Sequence, residues 1–298
     1  MKTEDIYPSR VGQDEKIIPR ADPVVYGDVR PKIKHALTTT QLESYQDNGF
    51  IVLANYMPEI VAPLLAEIDH LKNVMAGREE LITEPNSGEL RTIFKPFAFN
   101  QRIDQFSRHP KILTIARQLL DSDVYITQSR INIKPAFHGQ SFPWHSDFET
   151  WHVEDGMPRM RAVTAWIMLN ENNEYNGPLY VIPGSHKSFV SCAGVTENNN
   201  YNQSLKKQLA GVPQPETMQH LLKNCGIKGI YGTPGTVVFH ECNLMHGSPD
   251  NISGTPRSLL MLVYNSCENK LVNPFCDQPP RPDYLRNTNE TAIEVDDE

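Results

Sequence analysis

Two patterns of hydrophobic and polar residues divide the chain near residue 124. Before it, apolar residues recur every three or four positions, as on one face of a helix. Such a stripe runs through residues 60–75 and again through 110–120, and both predict helices. A further helix is expected from a capping box of Thr40 and Glu43. The first part of the chain is therefore expected to be helical scaffold.

From residue 124 to 134 polar and apolar residues alternate, which predicts a β-strand. One face carries amide, guanidinium and ammonium groups, namely Gln128, Arg130, Asn132 and Lys134, and the other carries Ile131 and Ile133. Such a polar face is typical either of a solvated sheet edge or of the wall of a polar pocket. The alternation by itself leaves both interpretations open.

More short strands follow, separated by turn signals rich in Gly, Pro and Asn. They are predicted at 161–169, 177–183, 236–240 and 259–266. The stretch from 194 to 226 is expected to be an insertion of loop and short helix. Many short strands with such turns are typical of a barrel or sandwich. The predicted fold class is therefore mainly β with helical decoration, around a jelly-roll core.

The chain is expected to have three parts. Residues 1–36, rich in Pro, Asp, Lys and Arg, are expected to form an N-terminal arm that lies over the domain or is partly disordered. Residues 37–285 are expected to form a single domain. Residues 286–298 end in a run of acidic residues and are expected to be a mobile tail.

The composition excludes several classes of protein. Of 298 residues, 39% are hydrophobic and 21% are charged, which suits a globular protein with a core. The net charge of −8 argues against nucleic-acid binding, which needs clustered Lys and Arg. There is no apolar run long enough for a membrane span, and the charged start of the chain lacks the pattern of a secretory signal. Scattered cysteines without an export signal indicate reduced thiols and a cytoplasmic location.

The stretch from 142 to 158 carries the candidate chemistry, because it contains His145 and Asp147 two residues apart. On an extended strand, residues i and i+2 project from the same face, so both side chains can reach one metal ion. A third ligand is needed, and His246 is the best candidate. Two histidines and a carboxylate leave coordination positions open, as in the facial triad of non-haem Fe(II) oxygenases, although Zn²⁺ and Mn²⁺ accept the same ligands. The weaker ligand candidates are His152, His186 and His240.

Arg257 opens the strand that follows His246, and antiparallel pairing of adjacent strands in a jelly-roll is expected to bring it back towards the metal. A guanidinium there binds a carboxylate bidentately, and Lys134 is a second candidate cation. This arrangement suits a 2-oxoglutarate enzyme, in which the keto acid chelates Fe(II) at one end while a buried cation fixes its far carboxylate. Such an enzyme uses O2 to hydroxylate an unactivated C–H bond and releases succinate and CO2.

The segment from Phe142 to Pro158 also resembles a family signature. It reads Phe-Pro-Trp-His-Ser-Asp-Phe-Glu-Thr-Trp-His-Val-Glu-Asp-Gly-Met-Pro, and it is similar to ectoine hydroxylases, within the phytanoyl-CoA dioxygenase-like superfamily. The likeness extends to other segments and so covers most of the chain. These segments are 5–10, 128–132, 183–186, 245–248, 263–266 and 281–282.

The resemblance implies a role for each candidate residue. The implied iron ligands are His145, Asp147 and His246. The implied 2-oxoglutarate-binding residues are Lys134 and Arg257, with Asn132, Thr164 and Ser248 as helpers. The implied substrate-binding residues are Gln128, Thr150, Trp151 and Arg281. The resemblance also implies a double-stranded β-helix (cupin-like) dioxygenase domain over 37–285, a homodimer, and hydroxylation of the small molecule ectoine to 5-hydroxyectoine.

Ectoine is a cyclic amidinium carboxylate, which suits these residue types. A tryptophan face such as that of Trp151 attracts a delocalised cation, and Arg281 suits the carboxylate. Two positions depart from the family pattern: Trp166 stands where members carry a small residue, and His240 stands where Phe is more frequent. These departures leave the reaction type intact and bear on substrate preference and rate. Two alternatives to an ectoine hydroxylase stay open, a related hydroxylase of another small zwitterion such as proline, and a non-catalytic cupin-like metal-binding protein.

Overall fold

The computed structural model describes residues 4–27, 33–205 and 208–295. The strands are β1 (Lys16–Pro19), β2 (Phe50–Leu53), β3 (Leu81–Thr83), β4 (Leu90–Phe94), β5 (Val124–Lys134), β6 (Phe142–His145), β7 (Ala162–Met168), β8 (Leu179–Val181), β9 (Ser188–Ser191), β10 (Lys228–Ile230), β11 (Val237–Glu241), β12 (His246–Ser248) and β13 (Arg257–Ser266). The α-helices are α1 (Thr39–Asn48), α2 (Val61–Val74), α3 (Gln101–Ser107), α4 (Pro110–Leu120), α5 (Asp147–Asp155), α6 (Tyr201–Ser204) and α7 (Pro215–Cys225).

Two antiparallel sheets form the core of the fold. The large sheet has the strand order β2-β11-β7-β13-β5-β4-β3, and the small sheet has the order β10-β8-β12-β6. From β5 to β8 the chain alternates between the large and the small sheet, and from β10 to β13 it alternates again, starting on the small one. This winding is that of a double-stranded β-helix, so the predicted jelly-roll fold is confirmed.

The two faces of the large sheet have different roles. Ile131 of β5 and Leu260 of β13 belong to the main hydrophobic core, where helices α2 and α4 also bury Leu64 and Leu113. Since side chains alternate across a strand, the opposite face of β5 points towards the small sheet. β5 lies between β13 and β4, so its polar face is not a solvated edge. The face is the wall of an interior cavity.

Several helices begin where the sequence predicts, with local corrections. The predicted helices over 60–75 and 110–120 are α2 and α4. The predicted capping box of α1 is wrong, because Thr38 caps the helix and Gln41 returns the hydrogen bond. The insertion from 194 to 226 contains the short helices α6 and α7, as predicted.

The described part of the arm lies over the domain. β1 pairs with β9, and the Arg10 N–H donates to the Cys192 carbonyl at 2.8 Å. Tyr7 is fully buried and packs edge-on against Phe148 of α5. The other arm residues, 1–3 and 28–32, lie outside the described part of the chain.

The stretch that was expected to be a mobile tail runs alongside β5 up to residue 295. The Asn287 N–H donates to the Thr127 carbonyl at 2.8 Å, and the Ile293 N–H donates to the Val124 carbonyl at 2.9 Å. Ile293 is buried in the main core, and burial of its apolar side chain stabilises the packed position of this stretch. The expectation of a mobile tail is therefore corrected for 286–295. The acidic end, 296–298, lies outside the described residues.

Candidate metal centre and its two cavities

Three predicted ligands meet where β6, α5 and β12 come together. His145 ends β6 and faces His246 of β12 directly across the antiparallel pair, with ring centroids 4.2 Å apart. Asp147 Oδ1 lies 3.6 Å from His145 Nε2, and its Oδ2 lies 3.9 Å from His246 Nε2. One ligand atom from each residue falls within 4.8 Å of the others, and all three residues are buried. We call this group the triad.

The prediction of one strand that contains both His145 and Asp147 is wrong for its second half. β6 ends at His145, and Asp147 is the first residue of helix α5. Ser146 between them is still extended, with φ −107° and ψ 130°, so the two side chains project to the same side. Ser146 Oγ bonds Asn243 Oδ1 at 2.9 Å, which ties this corner to the turn before β12.

Both triad histidines present Nε2 to the centre. Nδ1 of His145 bonds the Pro143 carbonyl at 2.9 Å, and Nδ1 of His246 bonds the Leu244 carbonyl at 2.8 Å. A carbonyl only accepts, so Nδ1 carries a proton, and a neutral ring then has its lone pair on Nε2. Burial, followed by the neighbouring His145, lowers the pKa of His246 to about 3, which keeps the ring neutral as a metal ligand requires.

The carboxylate of Asp147 completes the donor set. Its Oδ2 is buried without a hydrogen-bond partner among the described residues. Burial alone would raise its pKa, but His246, His145 and Arg130 outweigh burial and hold the pKa below the usual range. Two imidazoles and an ionised carboxylate therefore converge on one point. This donor set fits a divalent metal that keeps open coordination positions.

The weaker ligand candidates lie outside the triad. His152 is fully buried, with Nε2 bonded to Asp5 and Nδ1 to the Met157 carbonyl. His186 Nε2 bonds the Gln46 carbonyl at 3.0 Å. His240 packs beside His246 with ring centroids 5.2 Å apart, and it does not belong to the ligand group.

A cation-rich cavity of about 770 Å³ opens on one side of the triad. We call it the first cavity. Four of the predicted 2-oxoglutarate residues line it, namely Asn132, Lys134, Ser248 and Arg257. The fifth, Thr164, is fully buried but is not among the lining residues. The cavity is thus where the structure brings most of this predicted set together.

Sheet register explains how the cations of the first cavity meet. Arg257 of β13 stands opposite Lys134 of β5, and Met261 stands opposite Arg130. The expected route of Arg257 is corrected, because β12 and β13 lie in different sheets and the guanidinium approaches from the facing sheet. Arg257 Nη2 donates to Asn132 Oδ1 at 2.9 Å.

The first cavity carries more positive than negative groups. Burial, then Arg130 and Arg91, lower the pKa of Arg257 to about 9. Burial, then Arg257 and Arg91, lower the pKa of Lys134 to about 6. Arg91 is paired with Glu84, at 2.9 Å. Clustered cations that depress one another's pKa values favour an anionic ligand, which relieves their repulsion.

A second cavity, of about 500 Å³, also borders the triad. All four predicted substrate residues line it, namely Gln128, Thr150, Trp151 and Arg281. Arg281 already binds Asp155 bidentately, through Nε at 2.8 Å and Nη2 at 2.6 Å. Gln128 Nε2 donates to the Leu285 carbonyl at 2.8 Å, which leaves its side-chain oxygen for a ligand.

The two cavities adjoin at the triad. His145, Arg130 and Phe142 line both, whereas His246 lines the first and Asp147 the second. A ligand in either cavity therefore borders the same metal position. The walls of both cavities mix apolar and charged side chains, as the walls of small-molecule sites do.

Sequence reasoning left two wall residues, Arg130 and Glu154, out of the candidate site residues. Arg130 shares the polar face of β5 with Lys134, so the alternation contained its signal. Glu154 lines the second cavity about one helical turn after Thr150, a relationship that is visible only once α5 is known to be a helix. Trp166 lines the first cavity, and its Nε1 has no partner among the described residues. His240 lines neither cavity, which limits its effect on the shape of the binding site.

Comparisons with known proteins agree with this geometry. Residues 45–259 match the family described as phytanoyl-CoA dioxygenase (PhyH). The chain is 48% identical over 285 residues to the ectoine dioxygenase of Bordetella bronchiseptica, covering 95% of this chain and 92% of that protein. It is similar to the crystal structure of EctD from S. alaskensis with 2-oxoglutarate and 5-hydroxyectoine, with a TM-score of 0.89 and 39% identity over 98% of each chain.

A second structure of that protein bears on the metal. EctD from S. alaskensis with bound Fe matches with a TM-score of 0.87 and 39% identity, again over 98% of both chains. Each of these relatives is aligned over nearly its whole length, so the likeness extends well beyond the triad to the helices and the arm. By sequence, fold and donor set, the chain belongs to the phytanoyl-CoA dioxygenase family and, within it, to the ectoine dioxygenases.

Proposed function

We propose that this protein is a non-haem Fe(II)- and 2-oxoglutarate-dependent dioxygenase that hydroxylates ectoine to 5-hydroxyectoine. The observation that carries the proposal is the position of the triad, between a cation-rich cavity and a second cavity lined by an arginine, a tryptophan and a glutamine. A dianionic keto acid suits the first cavity, and a small zwitterion suits the second. Both ligands would then meet at one metal ion.

His145, Asp147 and His246 would hold the iron. Bound iron supplies the oxidative chemistry, in which O2 is activated as 2-oxoglutarate is converted to succinate and CO2. The carbonyl bonds to Nδ1 fix the tautomer and orientation of both imidazoles, so that Nε2 of each faces the metal position. It also fixes the carboxylate at the start of α5, where Phe148 N–H donates to the Cys242 carbonyl at 2.8 Å.

Lys134 and Arg257 would bind the far carboxylate of 2-oxoglutarate. Lys134 Nζ donates to the Gln140 and Pro249 carbonyls at 2.7 and 2.6 Å, so a protonated amine has one N–H left for a ligand. Asn132 orients the Arg257 guanidinium, and the Ser248 hydroxyl adds a donor to the same wall. Thr164 is left out of this set because it does not line the cavity.

Ectoine would occupy the second cavity. The Trp151 face attracts the delocalised cation of its ring, and Gln128 offers an amide oxygen to a ring N–H. Arg281 Nη1 is not used in the bond to Asp155, so it can bind the substrate carboxylate. Thr150 adds a hydroxyl on the same helix as Trp151. These contacts would hold one C–H bond towards the triad while apolar walls exclude water.

Three further features belong to the proposal. Residues 37–285 form the catalytic domain, with the arm and the C-terminal stretch packed on it. The protein works in the cytoplasm, a location supported by five cysteines that form no disulfide in the part of the chain that the structure describes. No described helix combines the length and the apolarity needed to cross a bilayer. Family resemblance supports a homodimer, which light scattering would test.

The test is direct turnover. The purified protein, Fe(II), 2-oxoglutarate, O2 and ectoine should yield 5-hydroxyectoine and succinate in equal amounts. Turnover of proline in place of ectoine would favour the related-hydroxylase alternative. Metal binding without succinate formation on any zwitterion would favour the non-catalytic alternative.

A further inference from the structure

Helix α5 carries an unusual load of buried acid. Glu149 and Glu154 are both almost fully buried, although they lie on the helix that also bears Thr150 and Trp151. Buried carboxylates need compensating charge or hydrogen bonds, because desolvation of an unpaired charge is costly. Much of that compensation comes from the N-terminal arm, more than a hundred residues away in sequence.

Arg10 is the centre of this contact. Its Nε and Nη2 bind the two oxygens of Glu149 at 2.9 and 2.6 Å, and Nη1 binds Glu154 Oε1 at 2.5 Å. Nη2 also lies 3.4 Å from Thr150 Oγ1. The neighbouring Ser9 hydroxyl donates to Glu149 Oε1 at 2.7 Å. One guanidinium thus contacts three residues of α5, namely Glu149, Thr150 and Glu154, and two of them line the second cavity.

The backbone around Arg10 is built for this contact. Arg10 has φ 58°, a left-handed conformation that few residues other than glycine adopt. Gly211 covers the ion pair, since a Cβ there would lie 2.1 Å from Glu149 Oε2. The side chains of Arg10 and Glu149 are each only 1% exposed. The pair is therefore sealed from water. In this low-dielectric interior its two charges interact more strongly than they would in water.

We propose that Arg10 is a positioning residue for the substrate cavity, holding α5 so that Thr150, Trp151 and Glu154 face the substrate. The inference rests on the proposed function, because it assumes that the second cavity binds the zwitterion. Arg10 reaches none of the triad. The metal end of α5 is anchored separately, through Ser146 and Asn243. Loss of Arg10 should therefore affect the substrate more than the metal or 2-oxoglutarate.

The arm offers a matched control in Arg20. Arg20 Nη1 pairs with Glu241 Oε1 at 2.9 Å, and the two side chains are 4% and 2% exposed. This is a buried Arg–Glu pair on the same arm, but Glu241 ends β11 and lines neither cavity. The variants Arg10→Gln and Arg20→Gln remove the same chemical group, and only the first touches α5.

The experiment compares three affinities by calorimetry, with Mn(II) replacing iron so that no turnover occurs. Arg10→Gln should raise the Kd of ectoine about tenfold, the lower end of the effect of removing a residue that orients ligand-contacting residues. The Kd values of Mn(II) and 2-oxoglutarate should change less than about twofold. Arg20→Gln should leave the Kd of ectoine unchanged. Arg10→Lys, which keeps the charge but not the fork, should fall between wild type and Arg10→Gln.

A readout without substrate separates this inference from the proposed function. Hydrogen exchange at the amides of residues 150–155 should be faster in Arg10→Gln than in Arg20→Gln. If wild type neither binds nor hydroxylates ectoine, the proposed function fails, and the exchange result still decides the role of Arg10. Equal losses of all three affinities, or unchanged exchange in α5, would overturn the inference. If Arg10→Gln does not fold, the same comparison is made with Arg10→Lys.

Discussion

Arg281 and Asp155 form a buried fork-to-fork pair, with Nε 2.8 Å from Oδ1 and Nη2 2.6 Å from Oδ2. Asp155 is the last residue of α5, whereas Arg281 lies beyond β13. The pair therefore fixes the direction of the guanidinium relative to the same helix that carries Thr150 and Trp151. One edge of Arg281 is committed to the protein and the other faces the cavity.

Asp155→Asn tests this orientation. An amide accepts only one of the two hydrogen bonds, so Arg281 loses its alignment while its charge stays. We expect the Kd of ectoine to rise by about tenfold, and the Kd of 2-oxoglutarate to stay within about twofold. Asp47→Asn, which removes the partner of the exposed Lys187, is the control. An equal loss of 2-oxoglutarate affinity would contradict this role for the pair.

Removal of a triad histidine should remove the metal. His246→Ala is expected to reduce bound iron from about one atom per chain to almost none, because the remaining imidazole and carboxylate do not make a facial site. Metal analysis after dialysis measures this. His186→Gln is the control, since its side chain can keep a bond to the Gln46 carbonyl. Retention of iron by His246→Ala would mean that the triad is not the metal site.

Binding of 2-oxoglutarate should depend on pH through Lys134. Without 2-oxoglutarate, burial, then Arg257 and Arg91, lower the pKa of the Lys134 amine to about 6. Asp250 and Glu84 oppose this shift more weakly. A bound carboxylate raises this pKa, so above pH 6 binding takes up a proton. The Kd of 2-oxoglutarate should therefore increase with pH, by up to about tenfold per unit.

Calorimetry in buffers of different ionisation enthalpy measures that proton directly. Near pH 8 we expect uptake approaching one proton in wild type and none in Lys134→Met. Lys187→Met, an exposed lysine paired with Asp47, should behave like wild type. Uptake that persists in Lys134→Met would assign the proton to another group.

His240→Phe should stabilise the protein. His240 is buried, its Nε2 has no partner among the described residues, and its Nδ1 makes one long contact of 3.3 Å with the Glu241 carbonyl. A phenyl ring of similar shape removes the unsatisfied polar atom, whose burial costs about 1–3 kcal/mol. Urea denaturation should show a gain of about 1 kcal/mol, with unchanged metal content. A loss of stability would reveal a partner for Nε2.

The β5 wall was predictable from sequence because its signal is local. A period of two put Arg130, Asn132 and Lys134 on one face, and the neighbouring strands decided only whether that face met water or a cavity. The triad was predictable for a similar reason. Its ligands are distinctive residue types, and the motif around His145 and Asp147 is long.

Helix α5 was not predictable, because it has no amphipathic stripe. Phe148 and Val153 are buried, and so are Glu149, Glu154 and Asp155. Those acids are tolerated inside only because distant arginines pair with them, and no local pattern reveals such partners. The prediction of the α1 cap residue was wrong for a more local reason. Three consecutive threonines could each begin the helix, and the reciprocal bond from Gln41 selects Thr38.

The arm also constrains how the protein is made. Ser9 bonds groups 140 and 183 residues further along the chain, at Glu149 and Cys192. At roughly 5–20 residues per second, the arm leaves the ribosome roughly ten to forty seconds before its last partner is synthesised. Until Glu149 and Glu154 are synthesised, Arg10 has neither of the carboxylates with which it pairs. The second cavity is also lined by Arg281, which lies beyond β13, so its wall is complete only after both halves of the β-helix have been synthesised.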